Sequence, residues 1–291
     1  MIAAQVRGVL VLAGVVAMLG VSGCTRSGLD SGPSTTPTSV PTYAPPLEPS
    51  GRTVRRPEPI KDEFLLHNPL YRAGRIAAVT CSLPTAKLVD QRTMIRYATA
   101  FVACLDRAWA PVISRAGFDF VPPGAVHSSP TGSKTACGVM EEGTFGVYCD
   151  DDRGIYFNWP EYVVKESYRQ EAGRASVQYL IAHEYGHHVQ WLTGISDDYA
   201  VRYGVVPEAA RQTEVNRSEM QAHCFAAAFF GANRASLRIR GERLDHYGHG
   251  GYDRSDPELS NFDRWLRQAF RAAGPGGCRT WAAPAKSVTG A

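Results

Sequence analysis

Apolar and polar positions follow several rhythms along this chain, and each rhythm predicts a different kind of segment. Residues 8–21, after Arg7, are almost uniformly apolar. The run is shorter than the roughly 20 residues of a membrane span and reads as a secretory signal peptide. Residues 25–59 nearly lack apolar positions and are rich in Ser, Thr and Pro. Such a stretch cannot bury enough surface to offset its ordering entropy, so an extended, disordered linker is expected. In residues 90–115, Met94, Ile95, Ala98, Phe101, Val102, Leu105 and Trp109 recur at helical spacing. A long amphipathic helix is expected there, capped by Asp90, stopped at Gly117, with its apolar stripe in the core. Residues 144–148 and 154–158 are short aromatic and β-branched runs around a turn-like, acidic segment at 149–153, which predicts a β-hairpin. Residues 175–192 return to helical spacing without a proline, through Val177, Leu180, Ile181 and Val189, and Gly194 follows as a stop. Another helix is expected from Ser218 to about Phe230.

These segments imply three parts: a signal peptide at 1–23, a linker at 24–59, and one folded domain at 60–291. The last is long enough to bury a core. Its expected class is α+β, mainly helical, with a small sheet or hairpin beside the 175–192 helix. The formal net charge of +3 is close to neutral and argues against nucleic acid as the main partner.

The 175–192 helix contains His183-Glu184-Tyr185-Gly186-His187. Residues four apart share one face of a helix, so His183 and His187 can reach one metal ion together. Glu184 is placed to hold a water on that metal. Two imidazoles with an adjacent carboxylate as general base form the zinc metallopeptidase pattern. A catalytic zinc takes three protein ligands and keeps one open position. Glu219, in the second helix, is the candidate third ligand. Gly186 costs about 1 kcal/mol against alanine in a helix, which suggests that another backbone packs against it. Ala222, Ala226 and Ala227 are small enough to permit such packing. His188 points away from the ligand face and reads as packed or solvated. Residues 154–157 are a candidate edge strand for pairing with an extended substrate.

The apolar run ends in Val21-Ser22-Gly23-Cys24, which resembles a bacterial lipoprotein lipobox. The resemblance implies cleavage before Cys24 and lipidation of its sulfur, hence a lipid anchor in the membrane. Setting Cys24 aside, six of the seven cysteines remain. Outside the cytoplasm they are expected to form disulfides. Six cysteines allow fifteen pairings. Cys137 and Cys149 flank the first hairpin strand and are expected to close a short loop. Cys224 is assigned to Cys278, and Cys81 to Cys104 by elimination.

Several segments together resemble the bacterial putative neutral zinc metallopeptidase family. They are Ala136-Cys137-Gly138, Tyr148-Cys149, Ile155-Tyr156-Phe157, His183 through Gln190, Glu219-Met220-Gln221-Ala222 with Cys224, and Cys278. The resemblance implies a zincin-like fold, similar to the glutamate-zincins, with peptide-bond hydrolysis and Glu219 as third ligand. One departure stands out. The family usually has aspartate four residues after that glutamate, where this chain has His223. The aspartate would orient a ligand imidazole; His223 could accept the same bond without a charge, or bind the metal itself. The family's His-Gly pair near a later short helix is matched by His249 and Gly250, which makes His249 a candidate donor to the oxyanion. The expected function is a lipid-anchored, extracytoplasmic zinc peptidase acting on peptides or proteins. The alternative is a cell-surface binding or structural lipoprotein with a closed or degenerate zinc site.

Overall fold

The long amphipathic helix forms where the periodicity places it. In the computed structural model, which describes residues 62–163, 170–239 and 257–289, a single turn α1 (Glu63–Leu66) precedes α2 (Gln91–Arg115). The Asp90 carboxylate accepts from the Thr93 N–H at 2.8 Å, while the Thr93 hydroxyl accepts from the Asp90 N–H at 3.3 Å. This capping box satisfies donors that the first helical turn leaves unpaired. The helix ends at Arg115, and Gly117 takes a φ of 86°, a left-handed stop that favours glycine.

Three further long helices complete the frame. They are α3 (Gln170–Leu192), α5 (Glu208–Asn233) and α6 (Pro257–Ala272). Gly194, with φ 74°, separates α3 from the shorter α4 (Ile195–Val205). The α2 stripe packs against α3 and α5 around an aromatic cluster. Phe101 meets Phe229 edge-on at 5.7 Å between centroids and stacks on Phe230 at 6.3 Å. Trp109 meets Phe225 edge-on at 5.6 Å. Such pairs add about 0.5–1.5 kcal/mol each beyond the area they bury. α3 is buried around most of its circumference, with polar His183, Glu184, His188 and Gln190 among its buried residues. All the described residues lie in one compact unit, Ala44–Ala291.

The sheet corrects one expectation. β1 (Val126–Ser128) pairs parallel with β5 (Gly154–Phe157), which also pairs antiparallel with β4 (Gly146–Cys149). The strand order is β1-β5-β4, with a separate hairpin of β2 (Lys134–Thr135) and β3 (Gly138–Val139). The 144–158 hairpin is therefore present, but 154–157 is the central strand and not the edge. Its four residues are all buried, as a strand with neighbours on both sides requires. The border strand against α3 is β4.

The fold is mainly helical with a small mixed sheet, an α+β fold. The three disulfides are Cys81–Cys104, Cys137–Cys149 and Cys224–Cys278. They fit a location outside the reducing cytoplasm. Among the described residues no helix is long and apolar enough to cross a membrane. The segments expected to be a signal peptide and a linker, together with Cys24 and His249, lie outside the described residues.

Candidate metal centre

Three donor atoms converge between α3 and α5. His183 Nε2 lies 3.2 Å from Glu219 Oε2, His187 Nε2 lies 3.5 Å from the same oxygen, and the two Nε2 atoms are 3.3 Å apart. Metal–ligand bonds of about 2.0–2.1 Å give tetrahedral edges of about 3.3–3.4 Å. The triangle thus has the size that a tetrahedral zinc would require. His183 is largely buried, whereas the Glu219 side chain is 37% exposed, so one side of the cluster opens towards solvent. Among the described residues a second group of potential donors, Cys137, Cys149 and Asp151, offers no thiolate because its two cysteines are bonded to each other.

The helices can approach this closely because of Gly186. A β-carbon there would lie 2.7 Å from the Ala222 carbonyl oxygen. The close backbone expected from this glycine is that of α5, at the alanine three residues after Glu219.

A chain of amides orients His187. Its Nδ1 lies 2.8 Å from Gln190 Oε1. The Gln190 amide nitrogen donates to the Ser218 carbonyl at 2.9 Å and to Gln221 Oε1 at 3.1 Å. Gln190 Oε1 therefore accepts from Nδ1–H, which leaves Nε2 as the ring nitrogen facing the cluster. Gln221 in turn donates to Tyr71 Oη at 2.9 Å and to the Cys278 carbonyl at 2.8 Å.

His183 is held differently. Its Nδ1 is buried and has no hydrogen-bond partner among the described residues. The ring of His223 lies against it, with centroids 4.0 Å apart. His223 Nδ1 pairs with the Tyr179 hydroxyl at 2.9 Å, and burial together with the nearby His183 holds this imidazole well below its ordinary range. Its donors are not part of the converging triangle.

Charge within the cluster favours a cation. Burial alone would lower the His187 pKa, but the Glu219 carboxylate and its hydrogen bond outweigh burial and raise it to about 9. Burial likewise acts to raise Glu219, yet the two imidazoles hold it well below the usual carboxylate range. The same attraction that keeps a proton on His187 would favour a divalent ion.

Glu184 sits between this cluster and the sheet. It is buried, and burial pushes its pKa up against the pull of His183 and His187. The Tyr148 backbone N–H donates to its carboxylate. The ladder explains the direction of that donor. Asn158 N–H donates to the Phe145 carbonyl at 2.8 Å, and pairing alternates from there, so Gly146 and Tyr148 turn their peptide groups away from β5. A β-carbon on Gly146 would lie 2.7 Å from Glu184 Oε1 and 2.9 Å from Leu180 Cδ1. Only glycine leaves room for the carboxylate at the strand. This role was missed from the sequence, although glycine inside a strand can mark such a close approach. Gln190 and Gln221 stood within the resembling segments but carried no assigned role. His188 is fully buried, and burial pushes its imidazole down to about 3, so it is neutral and packed.

Two imidazoles and a carboxylate converging beside a second, buried carboxylate, on a small α+β frame, are what this site brings together. A family model described as Putative neutral zinc metallopeptidase matches residues 74–242, more than half of the chain, and the chain belongs to that family. It is similar to "Uncharacterized protein YpfJ" of Escherichia coli (strain K12), 28% identical over 138 residues, which cover 46% of each chain. It is also similar to "Uncharacterized protein Rv2575" of Mycobacterium tuberculosis (strain ATCC 25618 / H37Rv), 29% identical over 143 residues, 45% of each chain. The chain spans just under half the length of these curated relatives. No solved structure matches.

Proposed function

We propose that this chain is a zinc-dependent peptidase in which His183, His187 and Glu219 hold the ion and Glu184 is the general base. What carries the reading is the triangle of 3.2, 3.3 and 3.5 Å donor separations with the Glu184 carboxylate beside it. A closed structural site has no use for such a carboxylate. When bound, zinc supplies Lewis-acid polarisation of the scissile carbonyl and acidifies the attacking water, whose pKa falls towards about 7. Glu184 takes the proton of that water and passes it to the leaving amine. General-base help of this kind contributes typically about 10²–10⁴-fold. The raised pKa that burial gives Glu184 suits a group that must both accept and return a proton. The border strand β4 offers the Gly146 peptide groups to an extended substrate backbone. His249 is proposed as the oxyanion donor on the family resemblance alone.

The chain is further proposed to work outside the cytoplasm, anchored by lipid on Cys24. The disulfides support the location, and the lipobox-like Val21-Ser22-Gly23-Cys24 supports the anchor. Cys24→Ser should move the protein from the membrane fraction to the soluble one; a cleaved variant still retained on the membrane would sink the anchor.

A second reading, a cell-surface binding or structural protein, draws on one observation. His223 stands where the family usually has aspartate, and His183 Nδ1 lacks a partner among the described residues. Zinc content by mass spectrometry, measured beside turnover of casein and a broad peptide library, separates the two. Stoichiometric zinc without cleavage of any substrate would favour the second.

A further inference from the structure

His188 follows the second histidine of the metal motif but, four residues after Glu184, turns with that residue towards the sheet. Its Nε2 lies 2.8 Å from the Val121 carbonyl oxygen. A carbonyl only accepts, so Nε2 carries the proton and Nδ1 has the lone pair. That lone pair lies 2.9 Å from the Tyr148 hydroxyl, which therefore donates to it. The imidazole is fully buried, stacks on Trp191 at 5.9 Å and meets Tyr185 edge-on at 5.4 Å. It has no room to turn and no unpaired ring nitrogen.

The two partners come from different segments around the sheet. Val121 lies in the segment leading into β1, and Tyr148 is in β4, the outer strands of the order β1-β5-β4. One side chain on α3 thus ties border strand β4 to the segment that leads into β1. Tyr148 is also the residue whose backbone N–H holds the Glu184 carboxylate. A short path runs from the His188 ring through Tyr148 to Glu184, separate from the path that orients His187.

We infer that His188 is a positioning residue that seats the sheet on α3, so that β4 holds Glu184 beside the metal ligands. This rests on the peptidase reading for its effect on turnover, but the clasp itself can be tested without turnover. A side chain accepting on one edge and donating on the other is needed to join a hydroxyl to a carbonyl across a buried gap. Phenylalanine keeps the volume and loses both bonds. Glutamine keeps a donor for Val121.

The experiment uses the zinc-loaded full chain with Tyr148→Phe, His188→Phe, His188→Gln and the Tyr148→Phe/His188→Phe double variant. Casein hydrolysis is read as separate kcat and KM, zinc affinity by chelator competition, and the seating of β4 by amide hydrogen exchange in peptides covering Tyr148. Tyr148→Phe removes one hydroxyl and leaves the backbone N–H, so it tests the idea even if His188→Phe fails to fold. The expected result is a fall of about 10–100-fold in kcat for Tyr148→Phe and His188→Phe, the range for a group that orients catalytic machinery or displaces it by about 1 Å. KM and zinc affinity should stay near wild type, and exchange at Tyr148 should accelerate. The double variant should lose no more than the worse single one, because both break the same path. His188→Gln should recover part of kcat. Unchanged kcat per folded molecule, additive losses in the double variant, or loss of zinc in step with kcat would each overturn the inference. If the wild type cleaves no casein, the peptidase reading fails, and the exchange rates alone decide whether His188 seats β4.

Discussion

Gly186 of α3 touches the backbone of Ala222 in α5: a β-carbon on the glycine would stand 2.8 Å from the Ala222 Cα. That contact sets the distance between the helix carrying His183 and His187 and the helix carrying Glu219. Gly186→Ala is expected to destabilise the fold by about 1–3 kcal/mol, the usual cost of overpacking, and to weaken zinc binding as Glu219 is pushed away. Gly204→Ala in α4, where a β-carbon meets nothing within 4 Å, is the control. It should stabilise by up to about 1 kcal/mol. Urea denaturation and chelator competition check both; a neutral Gly186→Ala would refute the contact.

Glu184 and Glu219 should fail differently. Glu184→Gln is expected to retain zinc and lose hydrolysis, because its carboxylate lies beside the donor triangle and not in it. Glu219→Ala should lose zinc affinity and activity together. Zinc content by mass spectrometry beside casein turnover decides; a Glu184→Gln protein empty of zinc would show the assignment to be wrong.

Gln190→Ala should release the proton-bearing Nδ1 of His187, whose 2.8 Å bond to Oε1 fixes the ring. Losing such an orienting partner typically costs about 10–100-fold in metal affinity or activity. Chelator competition measures it, and an unaltered zinc affinity would count against the amide chain.

Zinc affinity should depend steeply on pH. In the metal-free protein the His187 pKa is raised to about 9, so at neutral pH zinc must displace its proton. Affinity should therefore rise by about tenfold per pH unit up to about pH 9 and flatten above it. Glu219, held well below the usual carboxylate range, stays ionised throughout that window. Competition titrations from pH 6 to about pH 10 check this; a flat profile below pH 9 would contradict the His187–Glu219 coupling.

What could be read from residues alone was what depends on short stretches. The four-residue spacing of His183 and His187, the cap at Asp90 and the stop at Gly117 all speak within one or two turns. The position of 154–157 did not, because its parallel neighbour β1 has only three residues and lies across an intervening hairpin. Whether a strand is central or at the border depends on such distant partners. Gly146 was opaque for the same reason: its meaning is the Glu184 oxygen, which arrives from another element. The α3 helix shows a third limit. Being buried nearly all round, it displays no contrast of faces from which its neighbours could be inferred.

The chain of amides that begins at His187 ends on the carbonyl of Cys278, far along the polypeptide. A ribosome completes the His183–His187 segment well before it reaches that residue. Until the distal segment arrives and Cys278 is bonded to Cys224, the Gln221 amide lacks one of its anchors. On the zinc reading proposed above, the motif helix is therefore first an incomplete chelator, and full metal capture is expected only after the distal segment has docked. On the proposed peptidase reading, the nascent chain is in this way spared a competent hydrolytic centre during its own synthesis.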